Sequence, residues 1–325
     1  MNKSTRVATT AGAFVIAGVT ATLLNGRQRH KRRLRRGEEI EFGSVHSAKL
    51  TVTASDGVRI HAEVDEGPRK TPTVVFVHGW VETLDVWHYQ RLALRDKVRM
   101  VFVDQRSHGL SGRAHANSSS IEQLADDLHV VINQLAPKGP LVLVGHSLGG
   151  MAIMQLAADH PELFGTRVKG VALVATSSGK LARSSPALRR VAPLVRVASP
   201  VLDWGRAFNS YSVIRRWGLG PNALERHVDM ANEMILQAPT HVLMDFYPIF
   251  LELDLRRALK TVGKAHTVVI GGTHDQLTPL KHSRYLADHI PNAKLIAVEE
   301  SGHMIPFEAH ETVSDAIESL VEEAT

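Results

Sequence analysis

With 325 residues, 44% of them hydrophobic and 22% charged, the chain has enough apolar material for one large core and shows no repeat of solenoid period. It contains no cysteine, which excludes disulfides, thiol catalysis and zinc-thiolate sites together. The net charge of +5 is carried by one end: Lys3, Arg6, Arg27, Arg29, Lys31, Arg32, Arg33, Arg35 and Arg36 precede Gly37 with no acidic residue among them, and removing those nine cations leaves −4. A mildly acidic body is a poor match for a polyanion, so no nucleic-acid partner is expected.

The first candidate element is the uncharged stretch from Val7 to Leu24. As a helix at about 1.5 Å per residue it would reach roughly 27 Å, enough for a thin bilayer. Its threonines and glycines keep it only moderately apolar. Seven cations follow it between Arg27 and Arg36 and two precede it, so the positive-inside rule predicts a signal anchor that leaves the downstream body cytoplasmic. Residues 1–37 are therefore expected to form a membrane helix and a basic arm lying on anionic headgroups, each cation adding about 1 kcal/mol. Export by a cleaved signal and an incidental buried helix are the alternatives. The arginine pairs stand behind the apolar core, whereas a twin-arginine signal needs them ahead of it.

From Leu50 to Val64 apolar and polar residues alternate around Ser55-Asp56-Gly57, the pattern of an antiparallel hairpin. Short continuous apolar runs follow at Val74 to Val77, Met100 to Val103, Leu141 to Val144, Val171 to Val174 and Val268 to Ile270. These read as parallel strands buried on both faces. Amphipathic stretches, including Ile121 to Leu135 and Met151 to His160, lie between them, and the alternation predicts a doubly wound α/β domain. Between Ser178 and about Pro248 the rhythm breaks into proline-separated helical pieces, which reads as an inserted helical cap. Expected boundaries are 45–177 and 249–325 for the two parts of the core and 178–248 for the cap. Sheet and helix close the chain at Lys294 to Val298 and from about Phe307 to Glu323.

The chemistry centres on Gly145-His146-Ser147-Leu148-Gly149, which lies between a strand-like run and a helix-like one. This is the pattern of a nucleophile elbow, in which a sharp turn strains the serine and brings strand and helix so close that Gly145 and Gly149 have no room for side chains. A serine hydroxyl needs an imidazole to accept its proton and a carboxylate to orient that imidazole. Asp275, after the run ending at Ile270, and His303, after the last strand, both fall at the C-terminal edge of the sheet, where ligands of open α/β sheets gather. The oxyanion donors are expected to be the amides of Leu148 and Trp80, each such donor being worth about 2.7 to 4 kcal/mol. The Trp80 ring is expected to line the acyl pocket. His78 reads as a structural hydrogen-bonding residue. His282 and His289 read as surface residues rather than metal ligands, and neither a metal nor a cofactor is expected.

From about Leu50 to Glu322 the chain resembles the α/β-hydrolase fold superfamily. The resemblance rests on His78-Gly79-Trp80, the loop Asp104 to Ser111, the elbow, Gly272-Thr273-His274-Asp275 and Gly302-His303. It implies a Ser147, Asp275, His303 triad, in the order serine, acid, histidine, beneath a cap. The loop from Asp104 matches the pattern D-x-R-G-x-G-x-S except for Ser107, where glycine is common. Epoxide hydrolases and haloalkane dehalogenases are similar around His-Gly-Trp, but they attack with a carboxylate, and position 147 is serine. The expected function is a serine hydrolase cleaving carboxylic esters, with a lipophilic substrate such as a monoacylglycerol or lysophospholipid. A cofactor-free perhydrolase or haloperoxidase and a carbon-carbon bond hydrolase would use the same triad. A membrane-tethered binding protein without turnover is the remaining alternative.

Overall fold

The computed structural model describes residues 40–325 except 69, 116–117, 182–184 and 186–209. The chain divides into two units, Met1–Val45 and His46–Thr325. Of the first, residues 40–45 are described, and a turn closes there where the Ser44 amide donates to the Glu41 carbonyl at 3.1 Å. The expected anchor from Val7 to Leu24 and the basic arm lie outside the described residues. No helix among the described residues is long and apolar enough to cross a membrane.

The hairpin forms where the alternation predicts it. β1 (Lys49–Thr53) and β2 (Arg59–Asp65) pair antiparallel, with Gly57 at φ 88° in the turn between them. The apolar runs become β3 (Thr73–Val77), β4 (Arg99–Val103), β5 (Leu141–His146), β6 (Val168–Val174), β7 (His266–Gly272) and β8 (Lys294–Val298). The eight strands stand in the order β1-β2-β4-β3-β5-β6-β7-β8, parallel from β4 to β8 and antiparallel where β1 and β2 join. Strand order reverses at β3, so the loops after β3 and β5 open on opposite sides of a crevice at the C-terminal edge. Central strands carry no polar face because helices cover both sides of the sheet: Val74 to Phe76 and Leu141 to Val144 are fully buried.

The helices follow the 3.6-residue period. The 15-residue α2 (Ile121–Leu135), which follows α1 (His88–Leu94), starts where the Ser120 hydroxyl accepts from the Gln123 amide at 3.2 Å. It buries Ile121, Leu124, Ala125, Leu128, Val131 and Ile132, one face of the helix, in the core shared with α3 (Leu148–Asp159). Each large aliphatic side chain so buried contributes about 1.5–3 kcal/mol.

The Asp104 to Ser111 loop is tied to these elements by Arg106. Its guanidinium donates to Asp127 of α2 at 2.6 and 2.7 Å and to Asp56 of the hairpin turn at 2.7 Å. The departure at Ser107 has a structural counterpart, because this serine adopts φ 67°, a left-handed conformation that glycine takes without strain.

Between β6 and β7 the described residues include a helix at 210–217, α4 (Glu225–Gln237) and α5 (Thr240–Glu252). α5 runs through Pro248 to Glu252. Proline has no amide hydrogen, so the helix proceeds there with one ladder bond missing. The helical pieces expected between residues 186 and 209 lie outside the described residues. After α6 (Lys281–His289) and β8, the expected last helix is two: α7 (Ile305–Glu308), then α8 (His310–Ala324), separated by Ala309 at φ −134° and ψ 47°.

Candidate active site

Ser147 is the only residue between β5 and α3, and it takes φ 50° and ψ −114°. A non-glycine residue in such a region is strained by roughly 1–3 kcal/mol, so its surroundings must hold it. The Ser147 amide donates to the Val174 carbonyl at 2.9 Å, and Thr176 Oγ1 donates to the Ser147 carbonyl at 2.6 Å. A Cβ on Gly145 would stand 2.6 Å from the Gly150 nitrogen, and one on Gly149 would overlap the Val77 carbonyl oxygen. Close approach of β3, β5 and α3 therefore explains both glycines of the elbow.

Asp275 lies in the turn after β7 and is 5% exposed. Its Oδ1 accepts from the amides of Leu277 and Thr278, each at 2.8 Å, and its Oδ2 from Thr278 Oγ1 at 2.7 Å and His303 Nδ1 at 2.8 Å. Burial works to raise the Asp275 carboxyl, but the His303 charge and these hydrogen bonds outweigh it and hold it below its ordinary value. With Nδ1–H on this carboxylate, the neutral His303 ring carries its lone pair on Nε2, the tautomer a general base needs.

The loop bearing His303 is pinned on three sides. The His303 amide donates to the Gly218 carbonyl at 2.9 Å, and Glu308 accepts from the amides of Gly302 at 3.0 Å and Gly220 at 2.6 Å. The third tie reaches the elbow itself, since His146 Nε2 lies 2.9 Å from the His303 carbonyl oxygen, with the two rings 4.8 Å apart. Burial pushes the Glu308 carboxyl up to about 7.

The two expected oxyanion donors are positioned by backbone geometry. Leu148 is the first residue of α3, so its amide has no carbonyl one turn back to bond. The Gly79 amide donates to Glu82 Oε2 at 2.6 Å, and the Gly79 carbonyl accepts from His78 Nδ1 at 2.7 Å. In a planar trans peptide the N–H opposes the C=O, so the Trp80 N–H points away from His78. The Trp80 ring stands against α5: its Nε1–H donates to the Val242 carbonyl at 3.3 Å, and Phe250 and Tyr247 lie at ring distances of 5.0 and 6.3 Å.

His78 is structural, as expected, with Nδ1 on the Gly79 carbonyl and Nε2 accepting from the Gln105 amide at 2.9 Å. Full burial keeps its pKa below the ordinary imidazole value. His282 corrects its surface reading, because it is 9% exposed and its Nδ1 lies 2.8 Å from Ser177 Oγ. His289 is exposed. No cluster of three or more potential metal ligands occurs among the described residues.

The sequence reading missed Glu82 and His146. Glu82 Oε2 also lies 2.9 Å from His146 Nδ1, and the two residues are 4% and 0% exposed. The available signal was an acid three residues beyond Gly79 in an apolar loop and a histidine ending a fully apolar strand.

An open, mostly parallel sheet with a strained serine at a strand-helix corner, and an acid-bound histidine beside it, defines the α/β-hydrolase class of protein. The chain belongs to the alpha/beta hydrolase family, whose family model matches residues 74–316. It is 27% identical over 286 residues to the uncharacterized hydrolase YugF of Bacillus subtilis, an alignment covering 82% of this chain and 95% of that protein. Over 111 residues it is 38% identical to a bifunctional esterase/perhydrolase of Acinetobacter calcoaceticus, covering 34% of this chain and 39% of that one. Among solved structures it resembles a thermophilic esterase from Thermogutta terrifontis with a TM-score of 0.71 and 25% identity, over 86% of this chain and all of that chain (100%).

Proposed function

We propose that this hydrolase cleaves carboxylic esters through an acyl-serine intermediate, with Ser147 as nucleophile, His303 as general base and acid, and Asp275 as orienting carboxylate. The observation that carries the reading is the 2.8 Å contact between His303 Nδ1 and Asp275 Oδ2 on a loop fastened to the Ser147 elbow. Ser147 Oγ attacks the carbonyl carbon as its proton passes to His303 Nε2, and the amides of Leu148 and Trp80 receive the oxyanion. Collapse expels the alcohol, which takes the proton from His303. Water then attacks the acyl-serine with His303 again as base, and the carboxylic acid leaves. No cofactor enters this cycle.

Residues 178–248 are taken as a helical cap over the site, a reading supported by the contacts of Trp80 with Val242 and Tyr247. That aromatic wall also supports a lipophilic ester, of the monoacylglycerol or lysophospholipid kind, as substrate. Anchoring of residues 1–37 in an anionic membrane, with the catalytic domain cytoplasmic, rests on their sequence alone. Release of the full-length protein from membranes by alkaline carbonate would overturn it. Purified Ser147→Ala is expected to lose p-nitrophenyl ester hydrolysis, and full retention would reject the mechanism.

A second reading has one observation in its favour, the 38% identity over 111 residues to an esterase/perhydrolase. Hydrogen peroxide in place of water would convert the same acyl-serine to a peracid. Peroxide-dependent halogenation exceeding ester hydrolysis would favour this reading.

A further inference from the structure

Beside the triad lies a second carboxylate and imidazole, on the loop after β3 and at the end of β5. His146 Nε2 faces the His303 carbonyl oxygen at 2.9 Å. A carbonyl only accepts, so this nitrogen carries a hydrogen. The other nitrogen faces Glu82 Oε2 at 2.9 Å, and that oxygen already accepts the Gly79 amide at 2.6 Å. An acceptor on each side of one ring calls for a hydrogen on each nitrogen. The electrostatics agree: burial works to raise the Glu82 carboxyl and to lower His146, yet their attraction outweighs it in both directions. The titratable groups facing this pair are His78, His108, Asp275 and His303.

We propose that Glu82 and His146 form a buried carboxylate–imidazolium pair that positions both halves of the catalytic machinery. One end fixes the amide of Gly79, the residue whose carbonyl begins the Gly79-Trp80 peptide that aims an oxyanion donor, and the other fixes the main chain of His303. The inference rests on the serine-hydrolase reading for its functional half, whereas the charge state stands independently of it. Glu82 is well suited to the role because Gly79 is gripped at both ends, by Glu82 on its amide and by His78 on its carbonyl. A Cβ on Gly79 would stand 2.7 Å from Glu82 Oε2, so the glycine is what lets the carboxylate close on the loop. Neither Glu82 nor His146 exchanges a proton with substrate in this arrangement. They are positioning residues.

The test uses the full-length protein and has two arms. In 15N-histidine NMR, with His146 assigned by the His146→Gln variant, both ring nitrogens should show imidazolium shifts from pH 6 to pH 8, and a neutral-tautomer signal there would overturn the charged pair. In p-nitrophenyl butyrate kinetics, Glu82→Gln should lower kcat by about tenfold to hundredfold with KM changed less than about threefold, since small misplacements at a reacting centre act on the transition state. Glu82→Asp should recover part of the loss. Unchanged kcat in Glu82→Gln while the unsubstituted protein hydrolyses the ester would overturn the positioning role and leave the serine mechanism standing. No ester turnover and no fluorophosphonate labelling in the unsubstituted protein would instead reject the serine mechanism. Should Glu82→Gln fail to fold, His146→Gln, which keeps a donor for the His303 carbonyl, carries the same kinetic arm.

Discussion

Asp275–His303 and Glu82–His146 are built alike: each places a buried carboxylate oxygen on an imidazole Nδ1, at 2.8 and 2.9 Å respectively. They differ at the far nitrogen. His146 Nε2 meets a main-chain carbonyl, which keeps a hydrogen there, whereas the His303 tautomer set by Asp275 presents a lone pair. The partner of the second nitrogen therefore decides whether such a pair holds structure or moves a proton. Under the proposed mechanism, two histidines with rings 4.8 Å apart, each with its own carboxylate, do different work.

The widest separation between the pairs should appear on removing the imidazoles. His303→Gln is expected to lower kcat on the order of 10⁴-fold or more, because the serine loses its base. His146→Gln should cost only about tenfold to hundredfold. Equal losses, measured with one ester substrate, would erase the distinction drawn here.

Asp275→Asn should cost up to about 10⁴-fold, since an amide facing Nδ1 favours the tautomer without the Nε2 lone pair. Less than a tenfold loss would mean that another group orients His303, and the contrast with Glu82 would fail.

Glu308, which grips the His303 loop, gives the smallest and most pH-dependent effect. Burial raises its pKa from an ordinary 4.5 to about 7, so the protonated carboxyl favours the folded state. That contribution is full below about pH 4.5 and is lost as pH rises through about 7, amounting to on the order of 3 kcal/mol. The melting temperature of Glu308→Gln should accordingly fall less between pH 5 and pH 8 than that of the unsubstituted protein. Parallel profiles would show that Glu308 titrates normally.

Much of the fold was legible because strands buried on both faces must be continuously apolar, as Leu141 to Val144 are, and because the elbow leaves no room at Gly145 and Gly149. The contact between Asp275 and His303 joins two residues that the sequence places just beyond strand ends. Glu82 and His146 were not legible, since the pairing joins residues 64 apart in sequence and neither local pattern says what the side chain meets. His282 escaped for the same reason, its partner Ser177 being 105 residues away. The single closing helix failed because the helix breaks at Ala309. α7 is a separate turn whose Glu308 is held by the amides of Gly220 and Gly302.

Reaction of the full-length protein with a fluorophosphonate, followed by peptide mapping, tests the central claim most directly. One adduct on Ser147, formed at least about 100-fold more slowly in His303→Gln, is the expected result. An unmodified Ser147, or an adduct that forms as fast without the His303 imidazole, would contradict it.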